Sequence, residues 1–313
     1  MPEFIIRRRE QILLGTNDAA LRKFTHDGGL VRIGHGSYAR TSTWKKLDPQ
    51  EQHRLKVLEA AERARGTVVY SHYAAAALWG IRILGTWPDR IDVTTDQATG
   101  GRSSGTVRRH TRSLTDVEIA ELDGLLLTSP AQTAVDLART MRFADGVVVM
   151  DSALRLGRKP APLTTRDAIA RVIEGVTGQS GYRRARAAAQ FASGHSGSTA
   201  ESHSRVLIHL LGFPQPVLQQ LFILPSGRKA FPDFYWRDFD HAGECDGRSK
   251  YTDPQFLRGR TAEQAVIEEK NRENELRQVV GRLSRWEPRE LYPPRKLYDR
   301  LTFDGLPSTK PRP

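Results

Sequence analysis

The chain has 313 residues, with 48 Lys and Arg against 36 Asp and Glu, a net charge of +12. That length exceeds one ordinary core, so two or three domains are expected, and 38% hydrophobic residues with five Trp and eleven Phe exclude a disordered chain. The charge favours a polyanionic partner, while the lone Cys245 excludes a disulfide framework or cysteine zinc site, and the lack of a transmembrane, signal or lipidation pattern suits a cytoplasmic protein with no membrane partner.

Residues 16–40 predict a small helix-turn-helix with a wing. Asn17-Asp18 can cap a helix whose apolar face is Leu21 and Phe24, and Gly28-Gly29 ends it. Leu30-Val31-Arg32-Ile33, the turn Gly34-His35-Gly36 and Ser37-Tyr38-Ala39-Arg40 then form a β-hairpin. Arg22, Lys23, Arg32 and Arg40 edge this module and are candidate DNA contacts; a helix and hairpin without any nucleic-acid role is the plain alternative. Residues 50–66 predict a polar helix ending at Gly66, and 67–72 lead into an Ala-rich helix over 74–78 closed by Gly80. A strand is expected at 90–95, followed by a Gly/Ser/Thr loop at 96–106. Ser129 caps a helix that starts at Pro130 and turns Ala134, Leu137 and Ala138 inward. His72 and Ser129 lack any partner at a spacing that would make them parts of a nucleophile. Two Arg-rich segments, 102–112 (Arg102, Arg108, Arg109, His110, Arg112) and 182–186, either track phosphates or are solvated faces.

Three short stretches, Leu21-Arg22-Lys23, Gly29-Leu30-Val31-Arg32-Ile33 and Gly36-Ser37-Tyr38, together with the run from Leu127 through Ser129-Pro130 to Ala138, resemble AbiEi-type antitoxins over roughly residues 10–160. The resemblance implies a duplex-DNA-binding region with a toxin or defence partner. Ser193-Gly194-His195-Ser196-Gly197-Ser198 reads as a linker. The expected organisation is therefore a winged-helix domain at 1–60, a small α/β middle domain at 61–192 and a third domain at 198–313.

Beyond the linker the character of the sequence changes. A helix starts at Ser198-Thr199-Ala200-Glu201 and stops at Gly212; strands are expected at 218–224, 229–236 and 241–245, a long helix at 261–280 and a last strand at 282–286. This α-β-β-β-α-β order is the core of a restriction-endonuclease-like mixed sheet flanked by helices, so the fold class is α/β (α+β). Asp233 and Glu244 stand eleven residues apart with the polar turn Arg237-Asp238 between them, so a hairpin sets them side by side. Paired carboxylates of this kind suit Mg²⁺ (or Mn²⁺), which takes a few carboxylate oxygens and activates a water, with the carbonyl of Cys245 as a third ligand. Two crowded carboxylates repel in the absence of a cation, so neutralising one is expected to stabilise the metal-free protein.

Pro232-Asp233-Phe234, Glu244-Cys245-Asp246-Gly247, Lys250-Tyr251 and the run from Glu269 to Arg277 resemble the Vsr-like endonucleases of the PD-(D/E)XK superfamily over roughly residues 198–290. That resemblance implies Asp233 and Glu244 as metal ligands, Glu201 as an auxiliary acid, and Glu269 and Arg272 as residues facing the site. One departure stands out: the superfamily lysine position holds Asp246. Lys250 or Lys270 then supplies the cation, or Asp246 is a further metal ligand, or the domain binds DNA without cutting it. Plain alternatives accompany these roles: Glu201 completes a capping box with Ser198, and Glu269 and Glu273 pair with Arg272 and Arg277 along a solvated helix face. Two readings follow, a metal-dependent endodeoxyribonuclease and a non-enzymatic antitoxin-like regulator with an inactive nuclease fold; an RNA-directed enzyme is compatible with the same residues.

Overall fold

The computed structural model describes residues 4–8, 18–96, 105–157, 161–246 and 261–313. Asn17, Arg102 and Lys250 lie outside the described residues. The protein is α+β and divides into two compact units, one formed by residues 1–142 and 163–189, the other by residues 143–162 and 190–313.

In the first unit, β1 (Ile5–Arg7), α1 (Asp18–His26), β2 (Leu30–Gly34) and β3 (Ser37–Arg40) make the helix and wing, with strand order β1-β3-β2. The hairpin matches the alternation in the sequence: Ile33 and Ala39 point inward onto Trp44 and Leu55, and the intervening residues stay wetter. A short α2 (Thr41–Trp44) leads to α3 (Pro49–Ala61), which Asp48 caps by accepting from the Glu51 N–H. Glu59 of α3 is fully buried and accepts from Arg7 (2.9 Å) and the Ser37 hydroxyl (2.6 Å), fixing β1 and β3 to the helix.

Next come β4 (Val69–Tyr70), α4 (His72–Trp79), β5 (Ile91–Thr95), β6 (Val107–Thr111), β7 (Ile119–Leu122), β8 (Leu125–Thr128) and α5 (Pro130–Thr140). Their five-stranded mixed sheet has the order β6-β5-β4-β8-β7, with α4 packed on α5. Gly80 ends α4 in the left-handed conformation, and Ser129 caps α5 by accepting from the Gln132 N–H, both as expected from sequence. His53 on α3 is buried against the Trp87 ring (centroids 5.2 Å apart), and burial pushes its pKa down to about 4. A depressed histidine favours the folded state only while neutral, so stability falls as pH drops below about 6.5 and levels off below the folded pKa. Between pH 7 and 5 that loss is roughly 2 kcal/mol. Denaturant unfolding of His53→Gln at both pH values should show this slope removed; an unchanged slope would refute the assignment.

The helix α6 (Phe143–Leu154) belongs to the second unit, whereas sequence order places it in the middle domain; α7 (Arg166–Gly175) and α8 (Tyr182–Phe191) follow. The second unit continues with α9 (Thr199–Leu210), β9 (Val217–Leu218), β10 (Phe222–Ile223), β11 (Lys229–Ala230), β12 (Phe234–Trp236), β13 (His241–Cys245), α10 (Ala262–Val279), β14 (Arg282–Trp286) and α11 (Arg295–Phe303). The strands expected at 218–224 and 229–236 are each broken in two. Their outer halves β10 and β11 form a separate ribbon around the Ser226-Gly227 turn, and the inner halves join a mixed sheet of order β14-β13-β12-β9. β12 and β13 are antiparallel, β13 and β14 parallel.

β13 is buried on both faces. Gly243 and Cys245 face the cluster of Phe234, Trp236 and Trp286 beneath α9; Ala242 faces Leu276 and Val280 at the end of α10. Gly243 is required by close approach, because a Cβ there would lie 2.9 Å from the Trp286 ring and 3.0 Å from that of Trp236. No helix among the described residues is long and apolar enough to cross a membrane.

Candidate functional site

Alternation along β13 turns Glu244 to the α10 side of the sheet, and Asp246, two residues on, follows it. The parallel register sets Glu244 opposite Arg285 of β14. On α10, Ala265, Glu269, Arg272 and Leu276 recur at helical spacing; the first and last are buried apolar residues, so the two charged ones between them also turn toward the sheet. One oxygen each from Glu244, Asp246 and Glu269 consequently lies within 4.8 Å of the others.

Two guanidiniums knit the carboxylates together. Arg272 donates to both oxygens of Glu244 (2.9 and 3.1 Å) and through Nε to Glu269 (2.9 Å). Arg285 pairs with Asp246 and Glu273, and reaches Glu269 at 3.4 Å and Glu244 at 3.6 Å. Burial pushes the Glu244 carboxyl above its ordinary range, against the opposing pull of Arg272. Burial opposes the charge on Glu273 as well, yet Arg277 and Arg285 outweigh it and hold that carboxyl below the usual range. Glu244, Asp246, Glu269 and Glu273 against Arg272 and Arg285 leave an excess of two negative charges, with Arg277 offsetting part of it at the exposed rim of Glu273. Three carboxylates with that local excess are a hard-oxygen donor set matching one divalent cation in charge and chemistry. The cation has to compete with guanidiniums already seated on the same oxygens.

The expected residues are distributed unevenly around this centre. Glu244, Asp246, Glu269 and Arg272 come together. Asp233, expected beside Glu244, lies outside the group of three: its carboxylate accepts from the Cys245 N–H (2.9 Å) and from the Gln219 amide (3.3 Å), bracing the end of β13. Glu201 is buried: its N–H donates to the Ser198 hydroxyl (3.1 Å), which caps the helix, while its carboxylate accepts from the Gly197 N–H (2.6 Å) rather than from that of Ser198, so only half of the expected capping box forms. The Cys245 thiol is pushed up to about 12, first by burial; Ser204 opposes this, and the charges of Asp233, Glu201 and Asp246 add to it. Lys270 is exposed on α10. Arg285 and Glu273 are the residues that the sequence reading did not assign to the site; the strand expected at 282–286 carried the clue, since only a parallel neighbour sets Arg285 beside Glu244.

In the first unit, Arg22, Lys23, Arg32 and Arg40 are all exposed on α1 and the wing. Arg8, which follows β1, joins Arg22, Arg32 and His35 around a cavity of ≈ 290 Å³. The Arg108 guanidinium is paired with the buried Asp92 (2.6 and 3.1 Å), which a phosphate would have to compete with. Arg109 alternates with it on β6 and is half-buried.

The chain is 29% identical over 236 residues to the uncharacterized protein Rv2248 of Mycobacterium tuberculosis (strain H37Rv), covering 75% of this chain and 80% of that protein. The same figures hold for the uncharacterized protein MT2308 of Mycobacterium tuberculosis strain CDC 1551. Among solved structures, the RV2827C protein from Mycobacterium tuberculosis aligns with a TM-score of 0.35 and 18% identity, over 71% of this chain and 84% of that one. No family model matches the chain.

Proposed function

We propose that this chain binds DNA through its N-terminal helix and wing and hydrolyses phosphodiester bonds at the Glu244–Asp246–Glu269 centre. The approach of those three carboxylates at the end of a parallel strand pair is the observation that carries the reading. Glu244, Asp246 and Glu269 would hold Mg²⁺ or Mn²⁺, which would supply polarisation of a phosphate oxygen and activation of a water. The chain's own part is charge: Arg285 and Arg272 sit among the carboxylates and, once released from them, face a phosphate with donors that stabilise developing negative charge. They take the place of the lysine that position 246 lacks. A second reading is favoured by the same contacts: guanidiniums that keep their hold on Glu244 and Asp246 leave a nucleic-acid-binding fold without chemistry, the regulator alternative. Incubating the protein with plasmid DNA and, separately, RNA, with Mg²⁺ or Mn²⁺, while titrating metal by calorimetry, separates the two. Saturable metal binding with cleavage supports the enzyme, and no binding of either metal defeats it.

The wing makes its own prediction. Each phosphate neutralised lowers log K by about 0.9 per unit of log salt. Arg22→Ala with Arg32→Ala should therefore weaken duplex binding across all sequences and flatten the salt slope by about 2. A double variant with the wild-type slope would remove α1 and the wing from the interface.

A further inference from the structure

The first unit contains a second constellation, apart from the acidic centre. His72 opens α4 with φ +46, a left-handed conformation that a residue with a side chain adopts only when its surroundings impose it. Its ring lies flat on that of His110 from β6, with centroids 3.7 Å apart and planes 14° from parallel. The Ser71 hydroxyl is 3.1 Å from its Nδ1. His110 in turn meets fully buried Asp92 (2.7 Å), the carboxylate that also holds Arg108. The sequence offered His72 no chemical partner; the parallel pairing of β5 and β6 supplies one from 38 residues away.

The imidazole pair forms part of a cavity of ≈ 400 Å³, inside the ~300–1,000 Å³ range of small-ligand sites. Arg112 and Arg139 line the same cavity, and both reach the one buried carboxylate of Asp136, at 3.5 and 3.7 Å. Those distances are long for charge-assisted hydrogen bonds, and one anion is shared between two cations. Asp116, also in the lining, is exposed: its backbone carbonyl takes Arg112 (2.8 Å) and its carboxylate takes the Thr115 hydroxyl. Arg139 Nε donates to the Ser180 carbonyl, and Gly181 packs so closely that a Cβ would fall 2.2 Å from the Arg139 carbonyl oxygen. Two half-buried guanidiniums and a flat aromatic pair lining one cavity match an anion joined to a planar ring.

We propose that this cavity binds a nucleoside monophosphate, with the phosphate taken by Arg112 and Arg139 and the base set against the His72–His110 pair. The full chain is titrated calorimetrically with AMP, GMP, CMP and UMP in turn, with their nucleosides and with inorganic phosphate alone. At least one monophosphate should bind with a micromolar Kd, and both its nucleoside and inorganic phosphate should bind at least tenfold more weakly. His72→Asn keeps a residue that tolerates the left-handed backbone while deleting the ring, and Arg112→Gln removes one cation; each should weaken binding at least tenfold. Thermal unfolding at the wild-type temperature certifies each variant as folded. No monophosphate binding at 1 mM, or binding left within threefold by both folded variants, overturns the site. Inorganic phosphate binding as tightly as the monophosphate also overturns it, by reducing the cavity to an anion hole.

Discussion

Glu244→Gln is expected to abolish metal-dependent strand cleavage, by roughly a thousandfold or more, because a cation at this centre contributes several kcal/mol of transition-state charge stabilisation and every 1.4 kcal/mol is about tenfold. The substitution keeps the shape of the side chain and removes the charge at the most deeply buried of the three clustered carboxylates. Its effect on stability keeps the sign expected from crowded acids. Arg272 donates to both Glu244 oxygens and Arg285 stands within 3.6 Å, but after the substitution Arg272 still holds Glu269, and Arg285 still holds Asp246 and Glu273. Burial already pushes the Glu244 carboxyl up, so the folded state favours its neutral form. The metal-free variant should therefore melt no lower than the wild type, and Mg²⁺ should raise the melting temperature of the wild type alone, by mass action on its folded state. Cleavage at the wild-type rate by a folded Glu244→Gln protein would sink the assignment.

What the sequence showed of this centre was the part that lies close together along the chain. Glu244 and Asp246 end a run whose alternation marks a strand, and a strand places residues two apart on one face. The charges of α10 were ambiguous for a physical reason: glutamate and arginine three or four apart pair along an exposed helix just as they do at a buried one. Glu273 and Arg277 do pair at the exposed rim, whereas Arg272 and Glu269 turn inward because they share a stripe with Ala265 and Leu276. Arg285 was hidden because parallel pairing joins strands separated by a whole helix. Asp233 was ambiguous because a short acid just before a strand can satisfy a neighbouring backbone N–H, as it does at Cys245, as readily as it can bind a metal. The wing was legible almost residue by residue, since a two-strand hairpin is a local structure; the three-residue β1 that completes its sheet was not.

Arg205→Leu should cost about 3–5 kcal/mol, the penalty for leaving a buried charge without its partner. Arg205 of α9 donates to both oxygens of Asp151 on α6 (2.9 and 2.8 Å), and Asp151 is 1% exposed. The pair lies 54 residues apart in the chain, which is why sequence order assigned α6 to the middle domain. The stretch expected to be a linker is tied into the same network: the Ser193 N–H donates to Asp151 (2.6 Å), the Leu156 N–H to the Gly194 carbonyl (3.0 Å), and Arg205 also donates to the Phe191 carbonyl (2.7 Å) while stacking on that ring. Burial raises the Asp151 pKa even with Arg205 present. A carboxyl with a raised folded pKa favours the folded state when protonated, so the deficit of Arg205→Leu should shrink as pH falls from 7 toward the ordinary carboxylate range. Asp151→Leu combined with Arg205→Leu should be less destabilised than the sum of the two single variants, since neither then leaves a charge buried alone. Additive losses that do not change with pH would mean that the two side chains contribute packing only, and that charge pairing does not hold α6 to α9.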